Sequence, residues 1–488
     1  MVDLRPDEVQ AIIERTRRRV GGASLQVGAV ADPRLPIMTA ARPASGGSDG
    51  IFPTIDAAVE AAWTAFTTYR AMGLDARYRV IEGIREAMRA HAGDLADLAH
   101  RETGLGRAED KVRKNLLVTD RTPGPEDLEP ETRTGDQGIA ITERAPYGII
   151  AAITPVTNPT ATIINNTISI LSGGNAVVFN AHPNAKRVSA ENIRLINRAI
   201  VGAGGPPDLV TAISEPTIES AQALMRHPRI LVVLVTGGPG VVREALKTDK
   251  KVIAAGPGNP PVVVDATADI EAAARGIVAG ASFDNNVICT DEKEVFVVQA
   301  VADTLLRAMT RHGAYLLKEF QVQQIERVIF TELGPAGKPG KINPKWIGQD
   351  AAQILGQIGV HAGDEVRLVV ADVPVDHSLV WTEQMMPVLP VARVPDVGAA
   401  IDLAVRAEHG FGHTASIYSR DVDAITRMAR AINVSIFVAN GPNSAGLGEG
   451  GEGFTSFSIA SPTGEGMTRP RTFARERRLT VVGALRVV

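Results

Sequence analysis

The chain has 488 residues, enough for roughly two to four domains that each bury a core of their own. Its 51 Lys and Arg against 55 Asp and Glu leave a formal charge of −4, which excludes the strongly basic surface of a dedicated nucleic-acid binder. Hydrophobic residues make up 44%, and a single cysteine, Cys289, excludes an intramolecular disulfide and any multi-cysteine zinc or iron–sulfur centre, so a reducing, cytoplasmic location is expected.

Residues 6–20 have the pattern of a short amphipathic helix. Pro6 suits its first position, Asp7 and Glu8 sit at the positive end, and Arg15, Arg17, Arg18 and Arg19 sit at the negative end. The apolar stripe Val9, Ile12, Ile13, Thr16 and Val20 is narrow, and a helix this short needs a partner surface. Residues 21–50, rich in Gly, Ala, Ser and Pro, read as a flexible linker. The N-terminal segment lacks the apolar h-region of a secretory signal, its Asp3, Asp7, Glu8 and Glu14 argue against a mitochondrial transit peptide, and no apolar run approaches the roughly 18 residues that span a bilayer, so no membrane partner is expected.

From Thr54, a good N-cap, the residues Ile55, Val59, Trp63 and Phe66 recur at helical spacing, and further helical patterns follow near 75–90 and 93–103. Between 147 and 255, short apolar runs at 147–153, 175–179, 209–213, 230–235 and 251–255 alternate with helix-length segments, the rhythm of a parallel sheet. A second alternation starts at Pro261 and continues through 295–298 and a helix near 299–312, which predicts a second α/β layer. Runs at 138–142 and 479–488 read as strands of an arm or edge.

Cys289 follows Phe283-Asp284-Asn285-Asn286 in a polar, turn-prone stretch. A free cysteine is more often a small packed hydrophobe than a nucleophile, and spacing alone does not separate the two. The nine histidines show no metal-binding spacing. His409 and His413, although four apart, lie in a glycine-rich loop pattern, so no metal is expected.

The stretch Phe283-Asp284-Asn285-Asn286 with Cys289 resembles the nucleophile motif of the aldehyde dehydrogenase superfamily. With Arg144-Ala-Pro-Tyr-Gly, Thr154-Pro-Val-Thr-Asn-Pro-Thr, Thr236-Gly-Gly and Ala255-Gly-Pro-Gly-Asn-Pro, the resemblance runs from about residue 51 to the C-terminus. It points to the coenzyme A-acylating branch that includes microcompartment propionaldehyde dehydrogenases. The implied fold is α/β, with a Rossmann-type cofactor domain (51–123 and 145–256), an α/β catalytic domain (257–442) and a small oligomerisation arm (124–144 and 471–488) that would join dimers or tetramers. Residues 1–20 resemble an encapsulation peptide that would dock on a microcompartment shell protein.

The resemblance also implies roles for individual residues. Cys289 would attack the aldehyde, pass a hydride to NAD through a thiohemiacetal, and hold the acyl group as a thioester. The oxyanion amide would come from the loop 154–160; a gapless alignment falls on Thr157, but the nearby amide is Asn158, which is taken as the donor against the alternative of a turn residue before Pro159. Hydrolytic relatives carry a glutamate that activates water where this chain has Ala254. Without it the acyl acceptor is expected to be the thiol of coenzyme A rather than water, unless Glu292 or Glu408 replaces the base. Thr154, Pro155, Thr236, Gly237 and Gly238 match cofactor-binding positions, although no G-x-G-x-x-G follows a strand. Glu383 matches the ligand of the nicotinamide-ribose hydroxyls. At the adenosine side Asn180-Ala-His-Pro183 replaces the family's lysine and glutamate, so NAD against NADP is not decided there. A hydrolytic aldehyde dehydrogenase, or a cargo module acting through the N-terminal helix, are the alternatives.

Overall fold

The computed structural model describes residues 49–486; the expected helix at 6–20 and nearly all of the linker lie outside the described residues. Thr54 caps the first helix, Ile55–Arg70, by accepting the Ala57 N–H, and Leu74–Ala90 and Ala92–Thr103 follow. Val59 and Phe66 are buried as their spacing predicts. Trp63 is not: it is 39% exposed, its ring packed on Phe66 and under the Arg229 guanidinium. A large indole can keep one face wet while the helix buries its smaller residues, which periodicity does not distinguish.

The first sheet has six parallel strands in the spatial order Ile51–Phe52, Val210–Ile213, Ala176–Asn180, Ile149–Ile153, Ile230–Thr236 and Lys251–Ala255. The chain runs outward in one direction from Ile149–Ile153 and then in the other through Ile230–Thr236. These two neighbours form the topological switch point, beyond whose C-terminal ends a crevice opens. The helix Pro159–Ser172 that leaves the first of them is buried along its whole length; some of its polar side chains find partners inside, whereas the hydroxyls of Thr162, Thr167, Ser169 and Ser172 have none among the described residues. Asn165 donates to Thr122 Oγ1 and accepts from Phe457 N–H, and Thr160 donates to Asn115.

The second sheet has seven parallel strands in the order Ala314–Leu316, Leu368–Val373, Val388–Val394, Glu294–Val298, Pro261–Val264, Thr414–Tyr418 and Ile436–Ala439. Its central strands face two cores: Val262, Val264, Val295 and Val297 pack on one side, Val263, Phe296 and Val298 on the other. Both faces being buried explains why these strands read as unbroken apolar runs, each large side chain contributing about 1.5–3 kcal/mol.

A third, antiparallel sheet pairs Glu131–Gly135, Gly138–Pro146 and Ala474–Val482, in register from Pro146 opposite Ala474 to Gly138 opposite Val482. The strand expected at 479–488 therefore starts five residues earlier and ends at Val482, where Gly483 turns at φ 70°. Arg475, Glu476, Arg477 and Arg478 concealed its beginning, because an exposed strand needs no apolar residues to pair its backbone. No helix among the described residues is long and apolar enough to cross a membrane.

Candidate active site

A cavity of about 1060 Å³ opens at the switch point of the first sheet and reaches Cys289. Its walls come from the loop after Ile149–Ile153 (Thr154, Pro155, Thr157, Asn158), the turn after Ile230–Thr236 (Gly237 to Val241), the segment 180–184, and Cys289, Glu383 and Phe457 from the C-terminal half. The candidate residues Cys289, Asn158, Thr154, Pro155, Thr236, Gly237, Gly238 and Glu383, spread over 230 positions of sequence, all line this one space.

Cys289 stands on a loop built from three consecutive left-handed residues, Asp284 (φ 45°), Asn285 (φ 55°) and Asn286 (φ 63°). That conformation costs roughly 1–2 kcal/mol per residue for most side chains, and Asn and Asp bear it best. Here each side chain is also spent on the surroundings. Asp284 accepts from Lys111 Nζ (2.9 Å), from Lys114 Nζ and from the Arg107 N–H (2.7 Å). Asn285 donates to the Gly348 carbonyl (3.0 Å) and Asp350 (2.9 Å). Asn286 donates to the carbonyls of Ala281 and Glu292, both at 2.9 Å. Beneath the loop the buried Lys293 ammonium donates to Asn286 O (2.8 Å), Asn286 Oδ1 (2.5 Å) and Ile288 O (3.2 Å). Gly258 closes the other side: a Cβ there would lie 2.7 Å from the Cys289 carbonyl oxygen.

The thiol keeps part of its surface on the cavity while packed protein excludes bulk water around it. Burial pushes its pKa up to about 12; the Glu383 carboxylate adds to the rise and Lys293 opposes it. The Glu383 carboxyl is itself raised by burial. A raised thiol pKa means the neutral form prevails near pH 7, so iodoacetamide alkylation of Cys289 in the free enzyme should accelerate steadily with pH and reach no plateau below about pH 10. Glu383→Gln, which removes the repelling charge, should speed alkylation at pH 8; a plateau near pH 7 in the wild type would contradict this picture.

Asn158 occupies the N-cap of Pro159–Ser172, yet its side chain caps nothing. Its Oδ1 accepts from Lys114 Nζ at 2.6 Å, and its Nδ2 donates to Thr157 Oγ1 at 3.2 Å. A turn residue serving only its own helix would place Oδ1 on a first-turn N–H. The amide is 93% buried on the cavity wall instead.

At the far end, Thr154 Oγ1 is buried without a hydrogen-bond partner among the described residues. Thr236 and Gly237 line the cavity but are internally committed, the hydroxyl to Ser458 Oγ (2.6 Å) and the N–H to the Ala255 carbonyl (3.2 Å). The exposed donors are those that follow Gly238, where the helix Pro239–Leu246 begins and where a Cβ on Gly238 or Gly240 would meet nothing within 4 Å. First-turn N–H groups lacking intrahelical acceptors beside open space suit a phosphate. At about 1060 Å³ the cavity sits at the upper end of the roughly 300–1,000 Å³ typical of ligand and cofactor pockets, which leaves room for a dinucleotide beside these residues.

Ala254 is fully buried in the last strand of the first sheet, and the loop behind it, Gly256 and Pro257, borders the cavity. Neither Glu292 nor Glu408 lines that space. Glu292 is buried against Gly280 and accepts the Asn443 N–H, and Glu408 accepts the His413 N–H. His413 is buried with its pKa lowered to about 4 by burial and by Lys293, and its Nδ1 meets Thr414 Oγ1. His409 meets the Trp381 carbonyl. Sequence reading missed Lys114, Lys111 and Lys293. The sequence offered no signal for them, because Lys111 and Lys114 lie among Glu109, Asp110 and Arg113 and Lys293 lies between Glu292 and Glu294, where a lysine reads as a surface residue.

The chain matches the aldehyde dehydrogenase family model over residues 49–341 and 349–458. It is 49% identical over 440 residues to the acetylating acetaldehyde dehydrogenase EutE of Salmonella typhimurium, covering 90% of this chain and 94% of that one. It is 44% identical over 495 residues to an acetylating acetaldehyde dehydrogenase of Bilophila wadsworthia, covering both chains in full. Among solved structures it is similar to a Rhodopseudomonas palustris propionaldehyde dehydrogenase with bound CoA and an acylated cysteine, at a TM-score of 0.87 and 44% identity, covering 91% of this chain and 100% of that one. A propionaldehyde dehydrogenase from the Clostridium phytofermentans fucose utilisation microcompartment gives the same TM-score at 41% identity, covering 90% and 100%. The Cys289 loop beside the second sheet, set against the crevice at the switch point of the first, together with matches of this extent, means that the chain belongs to the aldehyde dehydrogenase family.

Proposed function

We propose that this chain is a coenzyme A-acylating aldehyde dehydrogenase that converts a short aliphatic aldehyde, NAD⁺ and coenzyme A to acyl-CoA and NADH. The observation that carries the choice of acceptor is Ala254: where hydrolytic members of the family hold a carboxylate, this chain has a buried methyl group. Its relatives named for acetaldehyde and propanal support a short substrate.

In this reading the minor thiolate form of Cys289 Sγ, its proton lost to solvent through the cavity, bonds to the aldehyde carbon, and the carbonyl electron pair moves onto oxygen. The Asn158 amide and a backbone N–H stabilise that oxyanion. Glu383 would hold the nicotinamide ribose of NAD⁺, and Thr154, Pro155 and the Gly238 turn the rest of it; when bound, it would supply the hydride acceptor. Loss of hydride leaves an acyl thioester on Cys289. The coenzyme A thiol, deprotonated, attacks the acyl carbon, the bond to Sγ breaks, and Cys289 is returned as thiolate. Water is a poor competitor because nothing at position 254 takes its proton. The first sheet is then the cofactor domain (51–123 and 145–256), the second the catalytic domain (257–442), and the three-stranded sheet the arm that joins copies.

With aldehyde and NAD⁺ but no coenzyme A, the expected result is one NADH per site, an acyl adduct on Cys289 by mass spectrometry, and discharge on adding coenzyme A. Sustained turnover without coenzyme A would establish hydrolysis instead. The amphipathic pattern at 6–20 and the microcompartment origin of one relative support docking on a shell protein. Deleting residues 1–20 should leave turnover intact and abolish co-purification with shells; unchanged co-purification removes this reading.

A further inference from the structure

We infer that Lys114 is a positioning residue that sets the orientation of the Asn158 amide and ties it to the nucleophile loop. The inference rests on Asn158 being the oxyanion donor, and deepens that reading.

An amide can turn over about its last torsion, exchanging a donor NH₂ for an acceptor oxygen. Only one of the two orientations serves an oxyanion; the other presents a lone pair to a developing negative charge. The position of Asn158 favours the wrong one, because an N-cap amide ordinarily turns its oxygen toward the helix N–H groups. The Lys114 ammonium settles the choice. It has three donors and no acceptor, so at 2.6 Å only Oδ1 can face it, and Nδ2 is forced to the other side. One Nδ2 hydrogen is spent on Thr157 Oγ1, and the second has no bond among the described residues in a side chain that lines the cavity. Lys114 is 1% exposed and cannot swing away, and its second bond goes to Asp284 Oδ2.

That second bond gives the arrangement its further consequence. Asn158 ends the loop of the first sheet, whereas Asp284 begins the strained loop that carries Cys289 on the second. One buried ammonium bonded to both holds donor and nucleophile in a single geometry. Lys111 makes the natural control. It is equally buried and donates to the same Asp284 oxygen at 2.9 Å, but its recorded hydrogen bonds do not include Asn158.

The test compares Lys114→Met, Lys111→Met and Asn158→Ala, reading the NADH burst, KM for aldehyde, Cys289 alkylation and thermal unfolding. Lys114→Met should slow the burst about 10- to 100-fold with KM little changed and alkylation within about two-fold, because alkylation forms no oxyanion. Lys111→Met should lower the melting temperature comparably but slow the burst less than about five-fold. In the Asn158→Ala background, Lys114→Met should add less than about three-fold, since residues acting through one group are not additive. Lys114→Arg, which also offers only donors, should recover part of the rate. Equal losses from the two lysine variants, or a full Lys114→Met effect without Asn158, would overturn the assignment of Lys114 alone. An unchanged burst in Asn158→Ala would overturn the oxyanion reading, and this inference with it.

Discussion

Cys289→Ala should lower NADH formation by about 10⁴-fold or more, because the chain has no second thiol to take its place and the hydroxyls lining the cavity are far weaker nucleophiles. The substitution removes one sulfur from a half-buried position and leaves the contacts of Asp284, Asn285 and Asn286 untouched, so the fold should survive with little change in melting temperature. Cofactor affinity, read by fluorescence titration, should also be retained, since the groups assigned to it lie along the first sheet and at Glu383. Residual activity above about a hundredth of wild type would place the covalent step on another residue.

Asn158→Ala should reduce the rate of the NADH burst by about 10²- to 10³-fold while KM for aldehyde changes little, as expected for a donor that acts on charge formed only in the transition state. The remaining rate would come from the backbone N–H partner and from orientation in the cavity. Iodoacetamide alkylation of Cys289 should proceed as in the wild type, which separates loss of the oxyanion donor from collapse of the loop. The substitution also strands the Lys114 ammonium on one side, so some stability is lost; a buried donor without its acceptor costs about 1–3 kcal/mol. A burst within a few-fold of wild type would return Asn158 to the role of a turn residue.

How far the sequence led differs from one part of the molecule to another. Five strands of the first sheet, and Pro261–Val264 and Glu294–Val298 of the second, were legible because they are almost wholly buried apolar runs, with Leu231 the exposed apolar exception; Ile51–Phe52 and the other five strands of the second sheet were not read. The C-terminal strand was misplaced because its stability comes from backbone pairing with Gly138–Pro146, which its arginines neither announce nor prevent. Trp63 misled because helical spacing predicts a face, not the depth of each residue in it. In the site, the Cys289 loop and the glycine turn after Thr236 carried recognisable residue strings. Asp284 and Asn158 stood in such strings too, but Lys114 did not, and the link between the three spans 170 residues and exists only after two sheets have been brought together.

The sequence by itself determined the two α/β layers, the single thiol, and the absence of a carboxylate at position 254, because composition, periodicity and residue identity are local properties. The tertiary structure alone decided that Thr236 and Gly237 are internally bonded while the helix end beyond Gly238 is open. It alone decided that Glu292 and Glu408 face away from the cavity, and that Asn158 is held by a lysine instead of capping its helix. Those are questions of where a hydrogen-bonding group points. In a packed interior the answer depends on which partner distant chain segments deliver, since a buried polar group must take whatever partner is in reach.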